Sequence, residues 1–124
     1  MKILEKPNKH VNFVDENNTF VGYDLEQDCC EDAGWFIAEE KNSDLPEIED
    51  RPGSFPDISK YFFDIEYFEK FENETLDEGS MVVFRLVSKG MMDLYLHIFN
   101  AHNGYYSHGF EAKVAGEVWK DGCI

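Results

Sequence analysis

The sequence predicts a mainly β fold, with α+β as the variant, in one compact antiparallel domain over residues 1–124 that ends in a C-terminal meander. Three observations predict it. Short β-branched and aromatic runs recur along the chain, separated by Asn, Asp, Gly and Pro clusters. Eleven Phe, six Tyr and two Trp supply enough apolar surface for a core. From Ser80 onward, runs and turn signals alternate without interruption. A length of 124 residues suits one domain and leaves no need for a second core.

Taken in order, His10 to Val14 and Thr19 to Asp24 form a hairpin about the turn residues Asp15-Glu16-Asn17-Asn18. Leu25 to Asp32 lacks alternation, and a single helical turn is expected near residues 25–32. Trp35 to Ala38 is a third strand. Glu39 to Asp57 carries Pro46, Pro52, Pro56 and many acids, which predicts a long, mobile, acidic loop with a short helical turn near Glu47 to Asp50.

Ile58 to Phe71 matches both periods. Ile58, Phe62, Ile65 and Phe68 keep helical spacing, while Tyr61, Phe63, Ile65 and Tyr67 alternate; aromatic enrichment selects the strand. Met81 to Val87 and Met92 to Asn100 are strands about the tight turn Ser88-Lys89-Gly90. Asn103-Gly104 then signals a hairpin into Tyr105 to Val114, because both residues tolerate positive φ. A two-residue loop there sets Phe99 opposite His108 and His97 opposite Phe110. Leu94, Leu96 and Ile98 then share the main core face, and Tyr95, His97, Phe99, Tyr106, His108 and Phe110 share the other, a second buried layer or a groove. Trp119 is expected to fold back onto this meander.

Net charge is −15 and unevenly placed. Residues 39–78 hold 14 acids and 4 bases, residues 1–38 hold 8 and 3, and residues 79–124 hold 4 of each. Direct nucleic-acid binding is disfavoured, since phosphate contacts need clustered Lys and Arg. A basic protein partner fits better. No window approaches the roughly 20 apolar residues of a membrane-spanning helix, and the first residues lack the apolar run of a signal peptide, so a cytoplasmic protein is expected. Three cysteines, Cys29, Cys30 and Cys123, do not form an even framework and are read as reduced thiols.

Two stretches carry the candidate binding residues. The first is Gln27, Asp28, Cys29, Cys30 and Glu31. Adjacent cysteines point poorly at one ion, and the surrounding acids oppose a thiolate. The alternating Asp24, Glu26 and Asp28 fail as a calcium loop, with Cys29 where glycine is required and Trp35 where glutamate is. The second stretch is Asn103, Tyr105, Tyr106, Ser107 and His108, a hairpin turn whose polar tips form a small contact platform. No catalytic residue, metal or cofactor is assigned.

Together, Gln27-Asp28-Cys29-Cys30-Glu31 and Asn103-Gly104-Tyr105-Tyr106-Ser107, with an extended β region between them, resemble an uncharacterised family of small bacterial and bacteriophage proteins, a domain of unknown function. The resemblance spans most of residues 10–114. It implies a compact sheet-rich domain without an assigned activity, and so carries over no catalytic residue. Residues 39–78 depart from it as a long acidic insertion.

The function expected is that of a small, non-enzymatic, phage-related binding or accessory domain. The alternatives are an acidic mimic of nucleic acid that binds a basic protein, a Cys/His metal-binding protein, and an enzyme using Cys29 or Cys30 with His97 or His108. A homodimer through an exposed sheet edge is a further expectation.

Overall fold

The computed structural model describes residues 1–26, 32–42, 46, 50–72, 80–100 and 108–124. Among these the chain forms nine strands: β1 Lys2–Lys6, β2 His10–Val14, β3 Thr19–Asp24, β4 Ala33–Ala38, β5 Phe62–Glu72, β6 Ser80–Val87, β7 Leu94–Asn100, β8 Gly109–Val114 and β9 Glu117–Cys123. They build two antiparallel sheets, one of five strands in the order β1-β2-β3-β8-β9 and one of four in the order β4-β7-β6-β5.

Period-2 alternation aims one face of each sheet at the other. Val11, Phe13, Val21, Tyr23, Phe110 and Ala112 from the first sheet meet Ile37, Phe63, Val82, Phe84, Leu86, Leu94, Leu96 and Ile98 from the second in one continuous core. Phe84 is its hub. Its ring lies 5.9 Å from Phe63, 5.4 Å from Phe68, 6.5 Å from Phe110 and 5.9 Å from Trp119. Trp119 thus reaches the core from β9, as expected.

The turns follow local chemistry. Asn18, at φ 61°, closes the β2–β3 turn in the left-handed region that Asn tolerates. The Oδ1 of Asp15 accepts the backbone N–H groups of Asn17 and Thr19, each at 2.9 Å. Its Oδ2 accepts the N–H of Phe63 at 2.8 Å, so one buried carboxylate stitches the first sheet to the start of β5 in the second. Ala115 and Gly116, at φ 53° and 84°, form the two-residue β8–β9 loop, a turn that the missing Asn or Asp hides in the sequence.

The C-terminal strands succeed one another in a meander-like run, with one correction to the expected pairing. β7 is hydrogen-bonded to β4 and β6, so neither of its edges is left for residues 105–114. The chain changes sheets after Asn100, and β8 pairs with β3 and β9. Phe99 does not face His108, and Phe110 joins the core on the side of Leu94, Leu96 and Ile98. Apolar burial drives the change, because Phe110 and Ala112 complete the floor of the first sheet between β3 and β9.

The ambiguous stretch 58–71 is a strand with a phase change. Phe63 faces Leu86 and Phe68 faces Phe84, so Asp64 to Tyr67 stand opposite the single residue Arg85. Three extra residues swap the parity, which brings Phe63 and Phe68 to the same core and leaves Ile65 half exposed in the bulge. That swap produced both periodicities at once. The helical turn expected near residues 25–32 falls mostly on residues 27–31, and that near 47–50 mostly on residues 47–49, outside the described residues; Leu25, Glu26 and Asp32 lie in no helix, and Asp50 is in a 3-10 turn.

Candidate functional site

Nine of the ten candidate residues read from the sequence, Gln27, Asp28, Cys29, Cys30, Glu31, Asn103, Tyr105, Tyr106 and Ser107, lie outside the described residues. Their stems are close together. Ala33, just after the first stretch, pairs with Asn100, just before the second. Asp24 and His108, on their other sides, are joined by a 2.8 Å bond from the His108 Nδ1 to the Asp24 carbonyl. Both stretches therefore spring from one end of the sandwich.

His108, the tenth candidate, is a buried anchor there. Its backbone exchanges bonds with Ile124, N to O at 2.7 Å and O to N at 2.9 Å. Its ring is only 1% exposed and packs against Tyr23 at 6.0 Å. The Tyr23 hydroxyl donates to the Phe99 carbonyl at 2.8 Å, and the Asn100 amide donates to Ile124 O at 2.9 Å. These bonds tie the two sheets together at this end and place the imidazole inside the molecule rather than on a contact platform.

The outer face of the five-stranded sheet carries a groove of about 630 Å³ next to that end. It follows from two glycines. Strand register sets Asn12, Gly22 and Glu111 in one row across β2, β3 and β8, and His10 and Asp24 in the next, beside Gly109. The Phe20 ring lies over Gly22, where a Cβ would meet Phe20 Cζ at 2.9 Å and Asn12 Oδ1 at 3.0 Å. Above Gly109 nothing lies within 4 Å of a Cβ. The floor is therefore backbone, one wall is aromatic, and Asp24, Glu26 and Glu111 place three carboxylates around it. The nearby cations are already engaged, Lys9 with Glu26 at 3.6 Å and Lys113 with Glu111 at 3.1 Å. No run of residues announced this groove, because its glycines sit in separate strands.

The outer face of the four-stranded sheet is occupied by the chain itself. Phe36, Met81, Val83 and Phe99 form a second apolar layer, with Ala38, Tyr67, Phe71 and Tyr95 packed against it. Three described residues of the acidic segment 39–57, Lys41, Asn42 and Arg51, are pinned to it. Lys41 reaches both Glu69 oxygens at 3.2 Å and sits 5.9 Å over the Phe71 ring. Arg51 lies 4.6 Å over Phe99 and grips Asp32 with two bonds of 3.1 and 2.7 Å. Between them, the backbone N–H of Asn42 donates to His97 Nε2 at 3.0 Å.

His97 is fully buried and stacked on Phe36, centroids 4.3 Å apart and planes 9° from parallel. Because Nε2 accepts from Asn42, the ring proton sits on Nδ1, directed at the Tyr95 carbonyl 3.1 Å away. Burial lowers its pKa to about 4, outweighing the carbonyls of Tyr95 and Phe36, which favour the proton. The ring is neutral at pH 7, and both its nitrogens are engaged.

Among the described residues, no three His, Cys, Asp or Glu side chains gather as a metal site. No helix among them is long and apolar enough to cross a membrane. Compared with protein-family models, curated proteins and solved structures, the chain gives no match.

Proposed function

We propose that this chain is a small, non-enzymatic binding domain that takes a cationic segment of a protein partner in the groove on its five-stranded sheet. The observation that carries the reading is the opening over Gly109, a strand position over which no side chain of the described residues folds, lined by Asp24, Glu26 and Glu111. An Arg or Lys side chain laid there meets Asp24 and the Phe20 ring and displaces Lys9 and Lys113 from their exposed pairs with Glu26 and Glu111, a setting that favours cations. The net charge of −15 speeds the approach of a basic partner and turns away nucleic acid. Enzymatic readings draw less support, since His97 has both nitrogens bonded and the His108 ring is enclosed.

Fluorescence anisotropy with a dye-labelled octapeptide of alternating Arg and Gly tests this reading. Any strongly acidic protein attracts polycations, so the decisive variant keeps the charge. Gly109→Leu fills the groove without meeting another atom at its Cβ and should weaken binding at least tenfold, and Glu111→Gln should weaken it further. Undiminished affinity in Gly109→Leu would remove the groove from the account. If affinity then fell on neutralising Glu39, Glu40 and Asp50 of the acidic segment, the nucleic-acid-mimic reading would take its place.

A further inference from the structure

We propose that residues 39–42, together with Arg51, form an acid-released strap, undocked when His97 takes a proton and baring the aromatic outer face of the four-stranded sheet. This device is independent of the groove on the opposite sheet. It rests on a single acceptor. His97 Nε2 is the group that receives the Asn42 N–H, and the other ring nitrogen faces the Tyr95 carbonyl. A proton on Nε2 turns that acceptor into a donor and sets N–H against N–H at 3.0 Å. The cation would also sit in the apolar layer formed by Phe36, Met81, Val83 and Phe99. Lifting the strap relieves both, because it opens the ring to water.

The surrounding charges define how far acid acts through His97 alone. Glu39, Glu40 and Lys41 flank Asn42 on the strap itself, β5 contributes Glu69, β6 contributes Arg85 bound to Asp64, and β7 contributes Tyr95. No charged side chain comes from β4. Tyr67, whose hydroxyl is pushed up to about 12 first by burial and then by Glu69, keeps its proton throughout. Glu69 is the carboxylate partner of Lys41, so the Lys41 pin is a second contact that holds the strap. The Arg51–Asp32 pair anchors the far side of the strap.

If release returns His97 from about 4 to the ordinary 6.5, the ratio of released to docked strap rises by at most about 300-fold between neutral pH and pH below 4. Hydrogen exchange of the Asn42 amide, corrected for intrinsic rate, reads this ratio directly. The Val82 amide, in the central strand β6, reports global opening. Asn42 protection should fall at least tenfold from pH 7 to pH 4 and stay below that of Val82 at each pH, as release without global unfolding requires. In Glu69→Gln, which lacks the ion pair to Lys41, the fall should persist. In His97→Gln, which retains an acceptor and does not titrate, it should shrink below threefold. Equal protection of Asn42 and Val82 across the pH range, or an unchanged pH response in His97→Gln, overturns the proposal. Should His97→Gln fail to fold, the ring-nitrogen shifts of His97 in the unaltered protein decide it. Asn42 losing protection while His97 stays neutral refutes the switch, and the two changing together support it.

Discussion

Asp15→Asn isolates the bond that joins the two sheets. The carboxylate is 5% exposed and takes three backbone N–H groups, Asn17 and Thr19 on Oδ1 and Phe63 on Oδ2, at 2.9, 2.9 and 2.8 Å. Asparagine has the same shape but a single acceptor oxygen. If that oxygen stays with the turn, the new NH₂ faces the Phe63 N–H, donor against donor, in a buried place. One bond to a charged acceptor is lost, a contribution of about 1.5–3 kcal/mol, and a buried N–H is left unmet at about 1–3 kcal/mol more. These overlap, so the expected loss is about 3 kcal/mol, a large part of the roughly 5–15 kcal/mol of a typical domain. Guanidinium unfolding followed by Trp35 and Trp119 fluorescence measures it, with an unchanged slope showing that the unfolded state is unaltered. Asp57→Asn is the control, since Asp57 makes the same kind of turn bond, to the Ser59 N–H, in full exposure, and its midpoint should not move. A loss below about 1 kcal/mol in Asp15→Asn would refute the claim that this carboxylate holds the sandwich together.

Phe84→Ala removes the ring on which Phe63, Phe68, Phe110 and Trp119 converge and should cost about 3–5 kcal/mol in the same assay. Gly22→Leu should destabilise measurably because its Cβ meets Phe20 at 2.9 Å, whereas Gly109→Leu, with nothing within 4 Å, should leave the midpoint in place; equal effects would contradict the groove geometry. Stability should also fall as pH drops from about 6.5 to about 4. In that window the unfolded chain binds the proton that buried His97 refuses, which lowers stability by up to about 3 kcal/mol. His97→Gln should lack this component of the slope, and a pH profile superimposable on that of the unaltered protein would count against a neutral buried ring.

Strands defined by local alternation were legible in the sequence. The β2–β3 hairpin follows from Asp15 to Asn18, and β6 and β7 from runs with a clear turn between them, where Met91 N–H bonds to the Ser88 carbonyl at 3.1 Å. What local pattern cannot encode is which sheet a strand joins. Asn103-Gly104 reads as a hairpin on local grounds, yet β7 already has partners on both edges, one of them β4, some 60 residues earlier in the chain. The Asp15–Phe63 stitch, 48 residues apart, is hidden for the same reason. His97 was visible as part of an aromatic face, but its partner on Asn42 is a backbone N–H, which no residue type announces.

The acidic segment has a structural logic that its composition obscures. β6 reads Ser-Met-Val-Val-Phe-Arg-Leu-Val, apolar on both parities, and a strand of that kind needs cover on both faces. The five-stranded sheet covers Val82, Phe84 and Leu86, while Met81 and Val83 depend on whatever lies across the other side. On that side Ala38, Tyr67, Phe71 and Tyr95 pack against them, the two cations of segment 39–57, Lys41 and Arg51, sit over the rings of Phe71 and Phe99, and Glu39, Glu40 and Asp50 are exposed. Those three carboxylates thus form a solvated face beside the apolar layer. A segment of this composition could serve as mere linkage, but Lys41 and Arg51 on those rings and Asn42 on His97 dock it on the sheet. The single neutral acceptor on His97 then makes that docking conditional on pH.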